Sequence, residues 1–294
     1  LIGADDALRA RILPAAAEGR MLGAFALTEP NAGSDPADMR TRAVREGDGW
    51  RIKGRKCFIS NGGVADFLVV YAVTDPAAGH RGISAFVVEK DDDGRYPEGY
   101  SPEVITGKVA KRAIHQADIR IEGLRVKDEN RLAGCESFAG VNRVLKATRG
   151  GASWEALGHG MAAFEIAARY ALEREQFSAP IGSYQLVQEK LATMLSDLVS
   201  MQLMCRRMAE LAEEDRLTDP MASLVKMTTS RKALAMCREA RDMLGGQGLL
   251  LEKHIARHMT DMEVVSTYEG TDSMQALIVG REITGISAFT RKRH

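Results

Sequence analysis

The stretch Ile119-Arg120-Ile121-Glu122-Gly123-Leu124-Arg125-Val126-Lys127-Asp128-Glu129-Asn130-Arg131 divides the chain into two textures. Upstream, from Met21 to Val126, short apolar runs alternate with turn residues, the signature of an antiparallel β unit. Gly47-Asp48-Gly49 is one such turn, joining Arg42–Arg45 to Trp50–Lys53. Further runs stand at Phe67–Val73, Ile83–Val88, Val104–Ile105 and Ile119–Ile121. A sandwich or barrel of six or seven strands is expected.

Downstream of Arg131 the β-branched alternation stops, and only two prolines remain, Pro180 and Pro220. Each sits where a helix should stop or start. Between Tyr184 and Leu211, the residues Val187, Leu191, Met194, Leu195, Leu198 and Leu211 recur at three- and four-residue spacing, which predicts the core stripe of a bundle helix. Met221–Leu244 repeats the pattern, with Pro220 in its first turn and Gly245-Gly246 ending it. Four or five helices packed antiparallel are expected here. Ahead of the β unit, Ala4–Gly19 reads as a short helix rich in Ala and Arg, with no obvious partner in the next fifty or so residues. The order helix, β unit, bundle is segregated, unlike the alternating βα pattern of a dinucleotide fold.

With 294 residues, 45% hydrophobic and 27% charged, the chain has ample material for globular cores. Forty Lys plus Arg balance forty Asp plus Glu. No bulk basic field is then available to hold nucleic acid or an anionic membrane, so neither is expected as a partner. The longest apolar runs fall well short of the roughly 20 residues that span a bilayer. Cys57, Cys135, Cys205 and Cys237 lie far apart with no CxxC pair, which argues against a zinc knuckle or a disulfide framework and fits a reducing compartment. The chain opens at Leu1 with no signal sequence, so it is expected to be a piece of a longer protein whose targeting signal is not visible.

Five segments have chemistry to offer. The loop LTEPNAGSD at 27–35 exposes backbone N–H groups and hydroxyls that suit a phosphate or the polar edge of a ring, or is an ordinary polar loop. Lys56–Gly63 sets Phe58 among polar groups at a strand end, as a ring wall or as core packing. EREQF at 173–177, with Pro180 and Gln185, lies between helices as a contact site or a plain connection. Gly245-Gly246-Gln247-Gly248 lets another molecule approach the backbone, or simply caps a helix. In TYEGTDSMQ at 267–275, Glu269 at the mouth of a helix is either a base raised by apolar surroundings or a capping carboxylate. His254 and His258 have helical i, i+4 spacing but lack the Glu of a zincin motif, so they read as surface histidines and no metal is expected. Arg291–His294 reads as a solvated tail.

In this order the segments resemble the acyl-CoA dehydrogenase family over essentially the whole chain. Most specific are LTEPNAGSD (27–35), EREQF (173–177), ARDMLGGQG (240–248) and TYEGTDSMQ (267–275). ALIVGREITGISAF at 276–289, with TYEGT, is most similar to the glutaryl-CoA dehydrogenase branch. The resemblance implies an α+β fold of that type, with residues 1–22 the remnant of an N-terminal helical domain, 23–130 a middle antiparallel β domain and 131–294 a C-terminal four-helix bundle.

It also implies FAD as cofactor, with Phe25, Leu27, Thr28, Gly33, Ser34, Phe58 and Ser60 around the flavin and Thr28 near its reactive edge. Where the family commonly has Trp, Phe58 keeps an aromatic face but loses the indole N–H. Arg174, Gln176, Phe177, Gln185, Gly245 and Gly246 match positions that reach the diphosphate and adenosine of a neighbouring subunit's FAD. Ser178 replaces the family's usual Gly. Thr271 and Gln275 match further flavin contacts. Ser34, Arg149, Tyr268 and Gly270 are implied on the substrate side, with Arg149 near the coenzyme A portion.

Glu269 matches the catalytic base, taking a proton from the carbon α to the thioester while hydride leaves the β carbon. The resemblance further implies an acyl-CoA substrate, possession of a homodimer or homotetramer, electron-transferring flavoprotein as acceptor, and a role in fatty acid or amino acid catabolism. The compartment would be bacterial cytoplasm or mitochondrial matrix. Oxidation of glutaryl-CoA with decarboxylation is one substrate reading. A dehydrogenase of carrier-protein-bound thioesters and a catalytically silent subunit are the alternatives, and retention of Glu269 argues against the silent one.

Overall fold

The computed structural model describes Leu1 and residues 3–288, in two compact units, residues 1–144 and 145–294. Phe289 and the basic tail Arg291–His294 lie outside the described residues.

The first unit opens with α1 (Asp6–Ala17), capped by Asp5, whose side chain accepts from the Leu8 N–H at 2.8 Å. Its partners come from much later in the chain than the fifty residues that follow it: Arg11 donates to Glu89 at 2.6 Å and to Asn130 at 2.7 Å. Seven strands follow: β1 (Gly23–Ala26), β2 (Arg42–Glu46), β3 (Gly49–Ser60), β4 (Phe67–Val73), β5 (Ile83–Glu89), β6 (Tyr100–Val104) and β7 (Gln116–Lys127). They form one sheet in the order β1-β4-β2-β3-β7-β6, with β5 on the other side of β4.

The expected β domain is present, but its sheet is mixed. β1 runs parallel to β4, Gly23–Ala26 beside Phe67–Val70, and β2 begins parallel to β4 at Arg42 beside Val73. Two short strands thus share one edge of β4, and the long connections before β4 give the chain room to return to the same end.

The stretch that divides the sequence shows how the core stays in phase. Ile119, Ile121, Leu124 and Val126 are buried while Arg120, Glu122 and Arg125 are exposed. The inward step from Ile121 to Leu124 spans three residues, not two. Gly123, at φ 73°, absorbs the extra residue where the β3–β7 register shifts between Ile52 and Lys53. A bulge glycine there keeps every apolar residue of β7 on the core side.

The second unit is helical, formed by all but the first turns of α2 (Phe138–Glu173) and by α3 (Gln185–Glu213), α4 (Asp219–Met243), α5 (Ile255–Thr267) and α6 (Asp272–Thr284). Its core is assembled from α2 to α5, through residues such as Ala163, Met201, Met236 and Met262, and α6 packs on α4. On α3 the buried stripe is Met194, Leu198, Met201, Cys205 and Met208. Leu195, expected in that stripe, is 47% exposed, because the stripe keeps strict three- and four-residue steps from Met194 and Leu195 falls off its face. Thr218 caps α4, Pro220 occupies its first turn, and Gly245 at φ 54° ends it, as the sequence predicts. All four cysteines are buried and free.

A feature not expected between helices is a small hairpin of β8 (Glu175–Gln176) and β9 (Ala179–Pro180). Its two-residue loop, Phe177-Ser178, has φ of 54° and 65°, so both residues are left-handed, the requirement of a type I′ turn. Serine carries a Cβ penalty at a position that glycine occupies freely. Ser178→Gly is therefore expected to stabilise the protein by about 1 kcal/mol, read as a raised urea midpoint at unchanged slope.

Candidate active site

In the first unit, the 27–35 loop leaves β1 and folds back on β3. The Lys56 ammonium is fully buried and donates to the Leu27 carbonyl at 3.1 Å and to Glu29 Oε1 at 2.9 Å. Glu29 in turn accepts from the backbone N–H groups of Arg40 at 2.6 Å and Thr41 at 3.0 Å. Glu29 and Ala32 exchange backbone hydrogen bonds across Pro30-Asn31. The loop is thus a built structure rather than a slack polar connection.

The Cys57 N–H donates to the Thr28 carbonyl at 3.0 Å, which sets Thr28 beside Phe58. At Phe58 the strand register shifts between Lys56 and Ile59, φ is 55°, and the ring is 61% exposed. Core packing is thereby excluded for Phe58: the strained bulge turns its ring outward. Gly33, Ser34 and Ser60 are exposed as well and can meet a ligand. Leu27 buries its side chain, and Phe25 packs edge-on against Tyr71 at 5.2 Å.

In the second unit, Arg174, Gln176, Gly245 and Gly246 come together in one cleft of about 380 Å³, with Tyr170 and Gln247. Gln247 lies inside the GGQG motif and Tyr170 one helical turn before Arg174, so both were within reach of the sequence. A Cβ added to Gly245 or Gly246 would meet nothing within 4 Å. Phe177, 92% exposed, sits on the hairpin turn against Tyr184, and Gln185 opens α3; neither lines the cleft.

The turn between α5 and α6 holds Glu269. Residues Glu269 and Gly270 are consecutively left-handed, with φ of 54° and 85°. A side chain at position 270 would be strained, since φ is 85° and a Cβ would stand 2.5 Å from Gln275 Nε2. Buried Gln275 donates from Nε2 to the Glu269 and Gly270 carbonyls, both at 2.9 Å, and leaves Oε1 buried and unpartnered. Thr271, not Glu269, caps α6 by accepting from the Met274 N–H. The capping role is thus taken, and the Glu269 carboxylate instead accepts from the Thr148 hydroxyl at 2.5 Å.

The surroundings of Glu269 are more polar than the apolar shell expected of it. Arg149 is buried, its Nη1 3.9 Å from Asp219 Oδ1, and its Nε and Nη1 have no hydrogen-bond partner. Burial lowers its pKa, with Asp219 and Glu269 opposing, and a guanidinium still stays charged. Burial pushes the Tyr268 phenol up to about 12, and its hydroxyl donates to Glu155. Lys226, fully buried on α4, donates to the Gly270 carbonyl at 2.8 Å. Sequence reading missed Thr148, Asp219 and Lys226. For Lys226 a signal existed: it falls midway between Ala222 and Ser230, at four-residue spacing on the buried face of a predicted helix.

His254 precedes α5 in a left-handed conformation, so the two histidines do not share a helix face. His254 is exposed, as expected, whereas His258 is half-buried: its Nδ1 meets Nδ1 of His159 at 2.8 Å. Burial, with His159 beside it, lowers its pKa to about 4, so it is neutral at pH 7.

These two halves correspond to two family models. The acyl-CoA dehydrogenase middle-domain model matches residues 24–124 and the C-terminal-domain model residues 138–284. Cyclohex-1-ene-1-carbonyl-CoA dehydrogenase of Geobacter metallireducens is 38% identical over 272 residues, 91% of this chain and 70% of that protein. The crystal structure of glutaryl-CoA dehydrogenase from Mycobacterium smegmatis superposes with a TM-score of 0.92 at 39% identity, covering 98% of this chain and 72% of that one. Another structure of a glutaryl-CoA dehydrogenase from that organism, in complex with FADH2, has the same TM-score and coverage at 35% identity. The chain belongs to the acyl-CoA dehydrogenase family, a family of FAD-dependent oxidoreductases.

The residues present fit such a cofactor. A cleft offering a guanidinium, amides and open glycine backbone suits a dinucleotide diphosphate. A strained, outward aromatic beside a rigid hydroxyl-bearing loop suits a planar ring.

The Lys56–Glu29 pair that braces the loop sets an acid limit. Burial works to raise the Glu29 pKa, but the Lys56 charge and hydrogen bonds from Thr41, Arg40 and Lys56 outweigh it and hold it below the ordinary 4.5. The unfolded chain therefore binds that proton more tightly, and stability is lost as pH falls below the ordinary value. Lys56→Met, leaving Glu29 buried and unpaired, is expected to cost about 3–5 kcal/mol at pH 7. Denaturant titrations should show that Glu29→Gln flattens the acid-side fall in stability.

Proposed function

We propose that the chain carries the catalytic machinery of an acyl-CoA dehydrogenase that introduces an α,β double bond into an acyl-CoA thioester, with Glu269 as base. The observation that carries this is the Glu269 turn: a carboxylate in a left-handed conformation, fixed through its backbone by a buried amide and oriented by the Thr148 hydroxyl. Fixed geometry is what removal of a weakly acidic proton requires.

The Glu269 N–H makes no hydrogen bond among the described residues, and so is free to donate to the thioester oxygen as negative charge develops there. Arg149, with unpartnered nitrogens close to this turn, supplies positive charge on the substrate side. Bound FAD supplies the acceptor for hydride leaving the β carbon. By the resemblance, Phe25, Leu27, Thr28, Gly33, Ser34, Phe58 and Ser60 are assigned to the flavin ring, and Thr271 and Gln275 to further flavin contacts. Arg174, Gln176, Phe177, Gln185, Gly245 and Gly246 are assigned to the dinucleotide half of a neighbouring subunit's cofactor, which makes the working enzyme a homodimer or homotetramer. Electron-transferring flavoprotein is the proposed acceptor.

For the acyl group we propose glutaryl-CoA, supported by the 267–289 motif and by likeness to glutaryl-CoA dehydrogenase. Likeness to cyclohex-1-ene-1-carbonyl-CoA dehydrogenase favours a cyclic acyl group as the second reading. Anaerobic stopped-flow bleaching of the flavin, in the full-length enzyme, separates them: glutaryl-CoA, cyclohexane-1-carbonyl-CoA, whose saturated ring has the α and β hydrogens the step needs, and a straight-chain acyl-CoA are compared, with release of carbon dioxide followed for the first. In the same assay Glu269→Gln is expected to keep its flavin and bind acyl-CoA yet bleach about 10²–10⁴-fold more slowly. Glu269→Asp should fall between. Bleaching of Glu269→Gln at the wild-type rate would place the base elsewhere.

A further inference from the structure

Lys226 is a lysine with no exposed surface on a helix whose nearby buried residues are Ala222, Ser223, Val225, Thr229, Ser230 and Ala233, none of them charged. Burying an ammonium is expensive, and a methionine of similar volume would fill the space without that desolvation. The hydrogen bonds of Lys226 explain what the charge does. Its Nζ donates to the Gly270 carbonyl at 2.8 Å and to the Ser266 carbonyl at 3.3 Å, and lies 3.7 Å from Asp272 Oδ1. Those three acceptors are the last turn of α5, the left-handed turn itself and the first turn of α6. One ammonium thus ties together both helix ends that flank Glu269.

The anchor is itself anchored. Asp272 accepts from the Ser230 hydroxyl at 2.7 Å, one helical turn beyond Lys226 on α4. The Gly270 carbonyl accepts a second hydrogen bond from Gln275. Left-handed backbone is disfavoured at a residue with a Cβ, so the conformation of Glu269, at φ 54°, persists only while its surroundings impose it. The Ser266 carbonyl, at the C-terminal end of α5, carries partial negative charge that a cation complements.

We infer that Lys226 is a positioning residue for Glu269, holding the Gly270 carbonyl so that residues 269–270 keep the left-handed turn that aims the carboxylate. It touches neither substrate nor cofactor and acts through the turn. The inference rests on the assignment of Glu269 as the base, and its test is built to fail separately.

The full-length, flavin-loaded enzyme is bleached anaerobically with saturating acyl-CoA. Lys226→Met is expected to lower the limiting bleaching rate by about tenfold or more, with flavin content unchanged and the acyl-CoA dissociation constant within about threefold. Lys226→Arg, which keeps the charge and donors, should recover part of the rate. Added to Glu269→Gln, Lys226→Met should cause no further slowing, because a residue that acts through the base has nothing left to position. A general loss of structure would instead slow both backgrounds equally. Lys226→Gln, with two N–H donors in place of three and a smaller burial cost, serves if the Met variant does not accumulate as folded flavoprotein. Wild-type bleaching by either variant overturns the inference while leaving Glu269 in place, provided Glu269→Gln is slow. Loss of folding or flavin in both variants also overturns it, making Lys226 a residue of the fold alone.

Discussion

Everything at this site depends on a backbone conformation that its residues resist. Glu269 is left-handed, and only the density of donors beneath it makes that conformation the stable one. The requirement propagates outward. Gln275 must be buried on α6, Lys226 must be buried on α4, and a side chain at position 270 would be strained. Three helices are thereby committed to one another for the sake of one turn, and the polar residues inside the bundle have a local reason to be there.

The first unit solves the same kind of problem with different chemistry. A loop rich in hydroxyls would wander if nothing held it, since such sequences have many hydrogen-bonding alternatives. Lys56 and Glu29 remove those alternatives by anchoring the loop to β3 from inside the sheet's core. The bulge at Phe58 follows from the same junction: Lys56 must point inward to reach Glu29, Ile59 is also buried, and the extra residue between them is displaced to solvent. An ion pair and an exposed ring are thus two results of one irregularity in β3.

Architecture was legible in the sequence wherever period carried it. The runs at Phe67–Val73 and Ile83–Val88 match β4 and β5 almost to the residue, and the glycine pair after Leu244 ends α4 as expected. What period cannot encode is which edge a strand takes, so the parallel pairing of β1 on β4 was invisible. Leu195 was misassigned because three- and four-residue steps from one starting point generate overlapping stripes, and only packing decides between them. At the site, motif residues such as Arg174 and Gly245 were legible and do converge, as does Glu269 with its turn. Thr148, Asp219 and Lys226 were not, because each belongs to a helix that looks ordinary in sequence and gains meaning only from the neighbour it meets. His258 misled for the same reason, its partner His159 being 99 residues away.

The cysteines give the molecule an internal clock for each of its halves. Cys57 and Cys135 lie in the first unit, Cys205 and Cys237 in the second, and none is exposed. Burial pushes Cys205 up to about 11 and Cys237 up to about 12, so at neutral pH these thiols are both covered and protonated. Attack on an alkylating reagent needs a thiolate and a path to solvent. Modification therefore reports the rate at which a unit opens, and the pair of cysteines modified identifies which unit opened. A protein without a single surface thiol carries, unaltered, the probes needed to time its two halves independently.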